Sequence, residues 1–205
     1  MIIITEKEFI SEGKSRKCYM HPQNRNLCIK VLKASCENPA FTLADEIKYY
    51  RKIQERNKNY TLTFFSHYRG TIETNLGIGY LYDIIRDHDG KISLSLKSYI
   101  ETRAIKEFPN SLSKVALSSL MDKMVKYRVF GYDVYHHNLL CRLVNNNEIE
   151  LVLVDGLGIK VKSSSIRSRF AFLVDYSEFI ARTRVESIFL PLSKILSDSE
   201  KNTNI

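Results

Sequence analysis

Hydrophobic and polar positions change rhythm about residue 86. Before it, short apolar runs alternate with turns. Ile2, Ile3 and Ile4, then Phe9 and Ile10, have β-like character and lead into a polar, basic turn around Gly13. Leu27-Cys28-Ile29-Lys30-Val31-Leu32 reads as a buried strand with one charge planted in it. After Pro39, the residues Leu43, Ile47, Tyr50 and Ile53 recur at helical spacing with charged residues between them, which predicts an amphipathic helix. Two strands are predicted near residues 68–72 and 79–85, joined by a hairpin turn at Thr74-Asn75-Leu76-Gly77. Asp87-His88-Asp89-Gly90 is a strong loop signal.

The second half changes character. Pro109-Asn110-Ser111 offers a helix start, and Leu112, Val115, Leu120 and Met124 carry a long amphipathic helix to about Arg128, with Gly131 ending it. The apolar run from Leu139 to Val144, the Asn145-Asn146-Asn147 turn and the run from Ile149 to Val154 predict a β-hairpin. Ser163-Ser164-Ser165 precedes a last predicted helix through Phe170, Val174 and Ile180, and Pro191 interrupts the chain beyond it. Residues 196–205 are expected to fray. The prediction is an α+β fold in one domain over residues 1–205, β-rich over 1–86 and mainly helical over 87–195.

Composition bounds the class. Of 205 residues, 44% are hydrophobic and 26% charged, which is globular usage rather than disorder, so a real core is expected. The net charge of +8 favours anionic partners such as nucleotides, phosphorylated molecules or nucleic acid, while a solvated basic face accounts for it equally well. Cys18, Cys28, Cys36 and Cys141 form no CxxC pair and no zinc-ligand spacing, so they read as buried thiols in a reducing compartment. No stretch approaches the roughly 20 apolar residues of a membrane helix, and the N-terminus lacks the pattern of a signal peptide. A cytoplasmic protein without a membrane partner is expected.

Phosphoryl transfer from a nucleotide needs a cover over the phosphates, a cation to hold them, metal ligands and a positioning carboxylate. Ser11-Glu12-Gly13-Lys14-Ser15-Arg16 has the spacing of a glycine-rich loop with only Gly13 retained, and as easily reads as an ordinary polar turn. Lys30 inside its apolar strand is costly unless its ammonium meets an anion; the alternative is an edge lysine facing water. Glu46, on the helix after that strand, is placed to pair with Lys30, or else lies on a solvated helix face. Asp133 and Asn138 stand five residues apart just before an apolar strand, and Asp155 ends the next one ahead of Gly156-Leu157-Gly158. Hard oxygens suit Mg²⁺, so Asp155 and Asn138 are candidate metal ligands. Asp133 is the candidate base or positioner for an attacking hydroxyl. His136-His137 lacks an obvious third ligand and is not read as a metal site. Lys160, Lys162, Arg167 and Arg169 form a basic cluster that either binds an anion or is simply solvated.

These residues together resemble the protein-kinase-like superfamily. Leu27-Cys28-Ile29-Lys30 is similar to its strand-lysine motif, and Glu46 sits where its partner helix carries a glutamate. Asp133 through Asn138-Leu139-Leu140 resembles its D-x-x-x-x-N-[IL]-L catalytic loop, and Asp155-Gly156-Leu157-Gly158 resembles its metal-binding turn. More narrowly, Arg16-Lys17-Cys18-Tyr19 with His21-Pro22, Glu46 with Lys48-Tyr49-Tyr50, and residues 70–74 and 79–87 resemble the PhoP regulatory network protein YrbL family over about residues 9 to 160. The resemblance implies a two-lobed kinase-like fold with a reduced C-terminal lobe in a bacterial, cytoplasmic protein. It also implies ATP and Mg²⁺ as ligands, with Gly13, Lys30 and Glu46 at the nucleotide, Asn138 and Asp155 at the metal, and Asp133 as the catalytic residue. Tyr135 stands where protein Ser/Thr kinases carry the catalytic-loop lysine, which points away from a typical protein substrate. The implied partners are a nucleotide and either a hydroxyl acceptor or a regulatory protein. A second reading is a pseudokinase that senses nucleotide or binds a partner. Nucleic acid has only the net charge in its favour, since no motif interleaves exposed aromatics with basic residues.

Overall fold

The computed structural model describes residues 1–34, 39–59, 61–102, 110–131 and 133–158. Phe9–Glu12 (β1) and Arg16–Met20 (β2) form a hairpin, and β2 pairs onward with Leu27–Leu32 (β3). After the helix Pro39–Arg56 (α1), Tyr68–Thr74 (β4) and Gly77–Asp83 (β5) form a second hairpin. β5 inserts beside β3, which gives an antiparallel five-stranded sheet in the order β1-β2-β3-β5-β4. The turn at 74–77 is held by the Thr74 hydroxyl, which accepts from the Leu76 N–H at 3.1 Å and donates to the Gly77 carbonyl at 2.6 Å.

β3 is apolar on both faces because it lies inside the sheet with both faces covered. Side chains alternate along a strand. Ile29 and Val31 pack with Ile4 and Tyr19 on one side, while Cys28 joins the main core on the other. Lys30 shares the face of Cys28, so its ammonium is carried toward the rest of the molecule. In α1 the spacing of Leu43, Tyr50 and Ile53 sets the buried stripe, and Glu46 falls on that stripe at i+3 from Leu43 and i−4 from Tyr50.

The second part contributes Leu94–Ser95 (β6), the helices Leu96–Thr102 (α2) and Asn110–Lys126 (α3), and the hairpin Leu139–Asn145 (β7) with Glu148–Leu153 (β8). These strands form an antiparallel three-stranded sheet, β6-β7-β8. One buried apolar cluster runs from Cys28 and Tyr82 through Tyr50, Ile53 and Phe65 to Leu120, Met124, Leu139 and Leu153. The Ser66 N–H bonds the Leu153 carbonyl at 2.9 Å, which joins the segment before β4 to the end of β8. Asp87 pins the connection between the parts by accepting from the Ser93 hydroxyl at 2.6 Å and the Leu143 N–H at 2.9 Å.

Mixed α+β architecture, mostly antiparallel, is as expected; three details differ. Ile2 makes a single parallel bridge to Thr74 rather than a strand, and the Asn75 side-chain amide clips the Ile4 backbone at 2.7 and 3.0 Å. Val115 is 65% exposed, so the buried face of α3 runs instead through Ala116, Leu117, Leu120 and Met124. α3 closes at Lys126, near the expected Arg128, and the residue that turns the chain out of the helix is Arg128, in the left-handed region at φ 51°, not Gly131. There the Val129 N–H bonds the Met124 carbonyl and the Arg128 N–H bonds the Val125 carbonyl, which satisfies the last turn. The described part of 87–195 holds two helices and three strands. The helix predicted after Ser163, the frayed tail, Cys36 and the cluster from Lys160 to Arg169 lie outside the described residues.

Candidate phosphate-transfer site

Lys30 leaves β3 and crosses to the end of β8, where its Nζ donates to the Val154 carbonyl at 2.6 Å and stands 3.7 Å from Asp155 Oδ2. Its charge also lies 4.4 Å over the Tyr82 ring. The lysine is therefore neither at a sheet edge nor in water; it is 8% exposed. A carbonyl, a carboxylate and an aromatic face together offset the cost of burying it.

Glu46 is buried as well, at 3% exposure, but its cation is Arg16. Arg16 Nη2 donates to Glu46 Oε2 at 3.0 Å and to Asp155 Oδ1 at 2.8 Å, while the Tyr82 hydroxyl donates to Glu46 Oε1 at 3.2 Å. The Lys30–Glu46 pair expected from the sequence is thus replaced by Arg16 bridging both carboxylates. Burial alone would raise the Asp155 carboxyl, but Lys30, Arg16 and the Gly156 N–H hold it below its ordinary range. Burial would lower the Arg16 guanidinium, and the two carboxylates more than reverse that. Burial, then Glu46, pushes the Tyr82 phenol far up, so it stays a donor.

The second half of the constellation is a loop–loop clasp. Asn138 Nδ2 donates to the Asp133 carbonyl at 2.9 Å and to Asp133 Oδ2 at 3.0 Å. The Asn138 carbonyl accepts from the Val154 N–H at 2.9 Å, one residue before Asp155. Gly158 N–H bonds the Phe130 carbonyl at 3.0 Å, and Gly131 bridges Leu157. Gly131 is small for this reason: a β-carbon there would lie 2.4 Å from Val134 Cγ2 and 3.2 Å from the Gly156 carbonyl oxygen. Five of the six residues predicted to carry the chemistry are therefore drawn into two adjoining groups: Lys30, Glu46 and Asp155 around Arg16, and Asp133 hydrogen-bonded to Asn138. The sixth, Gly13, lies in the exposed turn from β1 to β2 and donates its N–H to the Arg16 carbonyl at 2.8 Å. A β-carbon at Gly13 would meet nothing closer than 3.9 Å, so the turn does not demand glycine.

A Mg²⁺–nucleotide takes hard oxygen donors, and these residues offer them, with Asp155 here paired to Arg16 and Lys30. Asp155 supplies carboxylate oxygens, and Asn138, whose amide nitrogen donates to Asp133, supplies an amide oxygen. Two hard oxygen ligands, with phosphates and waters completing the shell, is the usual Mg²⁺ arrangement. Among the described residues no group of three or more His, Cys, Asp or Glu side chains could hold a metal by itself. His136 and His137 instead make tilted ring contacts with Tyr135, at ring-centroid distances of 4.4 and 5.4 Å.

Sequence reasoning offers Arg16 as positive charge near phosphates but misses its bridge between Glu46 and Asp155, and misses the Tyr82 bond to Glu46 altogether. Arg16 carried a signal, since it occupies an outer-glycine position of the loop pattern within Arg16-Lys17-Cys18-Tyr19. The rest of that peptide is structural: Tyr19 is core, and buried His21 accepts the Gln23 and Asn24 N–H groups on Nδ1, which shapes the turn into β3. Tyr82 had no signal beyond being an aromatic residue in a strand.

Among the described residues no helix is long and apolar enough to cross a membrane. Residues 2–189 match the family model described as PhoP regulatory network protein YrbL. Two relatives, each named uncharacterized protein YrbL, come from Escherichia coli (strain K12) and Shigella flexneri. Each is 31% identical to this chain over 158 residues, which is 77% of this chain and 74% of the relative.

Proposed function

The chain belongs to the PhoP regulatory network protein YrbL family, and from that premise and the geometry of the site we propose a two-lobed, kinase-like protein that binds ATP with Mg²⁺ and transfers a phosphoryl group to a hydroxyl acceptor. Residues 1–86 are its smaller lobe and 87–195 its reduced larger one, and it acts within a bacterial regulatory network. The observation that carries the reading is the convergence of Lys30, Asp155 and the Asp133–Asn138 pair at one junction between the two sheets, from positions up to 125 residues apart (155 − 30).

Lys30 is the cation for the phosphates, held ready by the Val154 carbonyl. Asp155 and Asn138 would hold Mg²⁺ through their oxygens, and the bound ion would neutralise charge on the phosphates. Asp133 has one carboxylate oxygen engaged by Asn138 and is about half exposed, which leaves Oδ1 for an incoming hydroxyl. The acceptor oxygen bonds to the γ-phosphorus, the bond from that phosphorus to the bridging oxygen of ADP breaks, and Asp133 takes the hydroxyl proton. Positioning and electrostatics account for most of such a barrier reduction, which is why a few fixed side chains suffice. Tyr135 and the histidines beside Asp133 give the acceptor an aromatic wall rather than a lysine.

Calorimetry with a non-hydrolysable ATP analogue tests this. Mg²⁺-dependent binding is expected, lost in Lys30→Ala and Asp155→Ala; no binding of any nucleotide at millimolar concentration overturns it. The Arg16 bridge favours a second reading, a nucleotide-responsive regulator without turnover, in which Asp133→Ala leaves the biological output intact.

A further inference from the structure

The cation that holds buried Glu46 and half-buried Asp155 together is the one the phosphate-transfer reading gives no role. A single nitrogen of Arg16 reaches both Glu46 and Asp155, at 3.0 and 2.8 Å. Asp155 Oδ1 also takes the Gly156 N–H at 2.8 Å, and Oδ2 faces Lys30 at 3.7 Å. Both oxygens of the candidate metal ligand are thus already matched by positive partners. A dication arriving there would meet the Arg16 and Lys30 charges at close range, where repulsion is weakly screened.

The same contact explains the missing Lys30–Glu46 pair. Glu46 has Arg16 on one oxygen and the Tyr82 hydroxyl on the other. Lys30 waits over the same Tyr82 ring, hydrogen-bonded to the Val154 carbonyl and ion-paired with the far oxygen of Asp155. Arg16 Nη1, meanwhile, is buried with no hydrogen-bond partner. An unpaired buried donor is costly, so this arrangement leaves Arg16 short of a partner that an incoming anion could supply.

From these contacts we propose that Arg16 is a built-in latch: it occupies Asp155 and Glu46 as an internal cation, and it must release Asp155 before metal can load. On release Glu46 passes to Lys30, and Arg16 turns its free nitrogen to the phosphates. Its place on β2, directly after the turn at residues 13–15, lets a movement of that turn work the latch. The inference rests on the phosphate-transfer reading for the identity of the incoming ligand, but the competition between Arg16 and a metal at Asp155 can be tested without nucleotide.

The probe is Mn²⁺ alone, titrated while the free-ion electron paramagnetic resonance signal is followed, with thermal melts in parallel. Arg16→Gln should bind Mn²⁺ about ten-fold more tightly than the unaltered chain, the scale of 1.4 kcal/mol. Arg16→Lys, which restores the positive charge, should stay near the unaltered value, and Arg16→Gln with Asp155→Asn should lose the gain. Since Arg16→Gln leaves Glu46 buried without its cation, the pair Arg16→Gln with Glu46→Gln serves where the single variant unfolds, with the same gain expected. Equal or weaker Mn²⁺ binding in both glutamine variants, including no binding in any form, overturns the latch. Tighter Mn²⁺ binding without nucleotide binding in any variant keeps the latch and removes the phosphate-transfer reading. Nucleotide binding with one unchanged metal requirement throughout does the reverse.

Discussion

Gly156 lies so close to Asp133 that a β-carbon on it would be 2.6 Å from the Asp133 carbonyl oxygen and 2.8 Å from Asp133 Cβ. Its backbone is also left-handed, at φ 77°. The turn after β8 and the loop before β7 are therefore shaped against each other, and Asp133 holds its position partly because residue 156 has no side chain.

Gly156→Ala carries two costs, and they can be separated. Gly90 has a similar φ of 85°, but a β-carbon there would meet nothing within 4 Å. Gly90→Ala should cost only the backbone term, about 1 to 2 kcal/mol. Gly156→Ala should cost about 1 to 3 kcal/mol more, the scale of overpacking. Urea denaturation of both variants reads the difference. Equal losses would mean that the fit of the two loops is not what the glycine provides.

Glu46 and Tyr82 are buried members of the charge cluster. Tyr82→Phe removes one hydrogen bond to a carboxylate and should cost about 1.5 to 3 kcal/mol. Glu46→Ala takes one member from a buried ion pair and should cost about 3 to 5 kcal/mol. Because the two side chains share a bond, the double variant should be less destabilised than the sum of the singles, by about 0.5 kcal/mol or more. Strict additivity in denaturation experiments would deny the contact.

How much of the fold and the site is legible in the sequence depends on the range of each interaction. Local periodicity predicts β3, α1, the two hairpins at 68–85 and 139–154, and α3, because spacing within one element sets which side chains share a face. The strand Arg16–Met20 leaves no such pattern, since Arg16 and Lys17 mask its alternation although Tyr19 is core. Leu94–Ser95 is two residues long, too short to leave one either. At the site, Lys30 stands out because a charge in an apolar run is locally anomalous. Arg16 does not, because its two partners lie 30 and 139 residues away and nothing in its own neighbourhood marks it as buried. Pairing across such distances is decided by the sheet order, which no local pattern encodes.

Glu150 gives the fold a predictable acid response. Burial would raise its carboxyl, but the hydrogen bonds from Lys123 and Arg142 bring it below its ordinary value. The Lys123 contact, at 2.7 Å, ties α3 to β8, and Arg142 adds a cross-strand bond from β7. A carboxyl lowered on folding contributes stability that is complete above its unfolded value, near 4.3, and fades as pH falls below it. Melting temperature should therefore drop below about pH 4.5, and less steeply in Glu150→Gln. Parallel pH profiles of the two proteins would assign the acid sensitivity elsewhere.

The described thiols should differ in reactivity. Burial pushes Cys141 up to about 12, and its hydrogen bond with Cys18 and burial hold Cys28 well above the usual range. Cys18 is lowered by that same hydrogen bond and is only partly buried. Since the thiolate is the nucleophile, iodoacetamide at neutral pH should modify Cys18 before Cys28 and Cys141, as mass spectrometry of the digest would reveal. Labelling of Cys141 first would contradict this order.

Asp133→Asn separates binding from turnover. The asparagine can still accept the Asn138 amide through its side-chain oxygen, so the clasp between the two loops is kept, and Lys30, Asp155 and Asn138 are untouched. Affinity for Mg²⁺ and a non-hydrolysable ATP analogue should stay within about two-fold of the unaltered protein, because Asp133 is not among the groups that hold phosphates or metal. Phosphoryl transfer to a hydroxyl acceptor should fall by about 10² to 10⁴, the usual contribution of a positioned base. Lys30→Ala should show the opposite pattern, with binding lost first. If Asp133→Asn transfers as fast as the unaltered protein, another group takes the proton, and the half-exposed carboxylate beside Tyr135 has a purely structural part in the loop. If neither form transfers while both bind, the site is a nucleotide sensor, and the Arg16 bridge becomes the element whose release carries the signal.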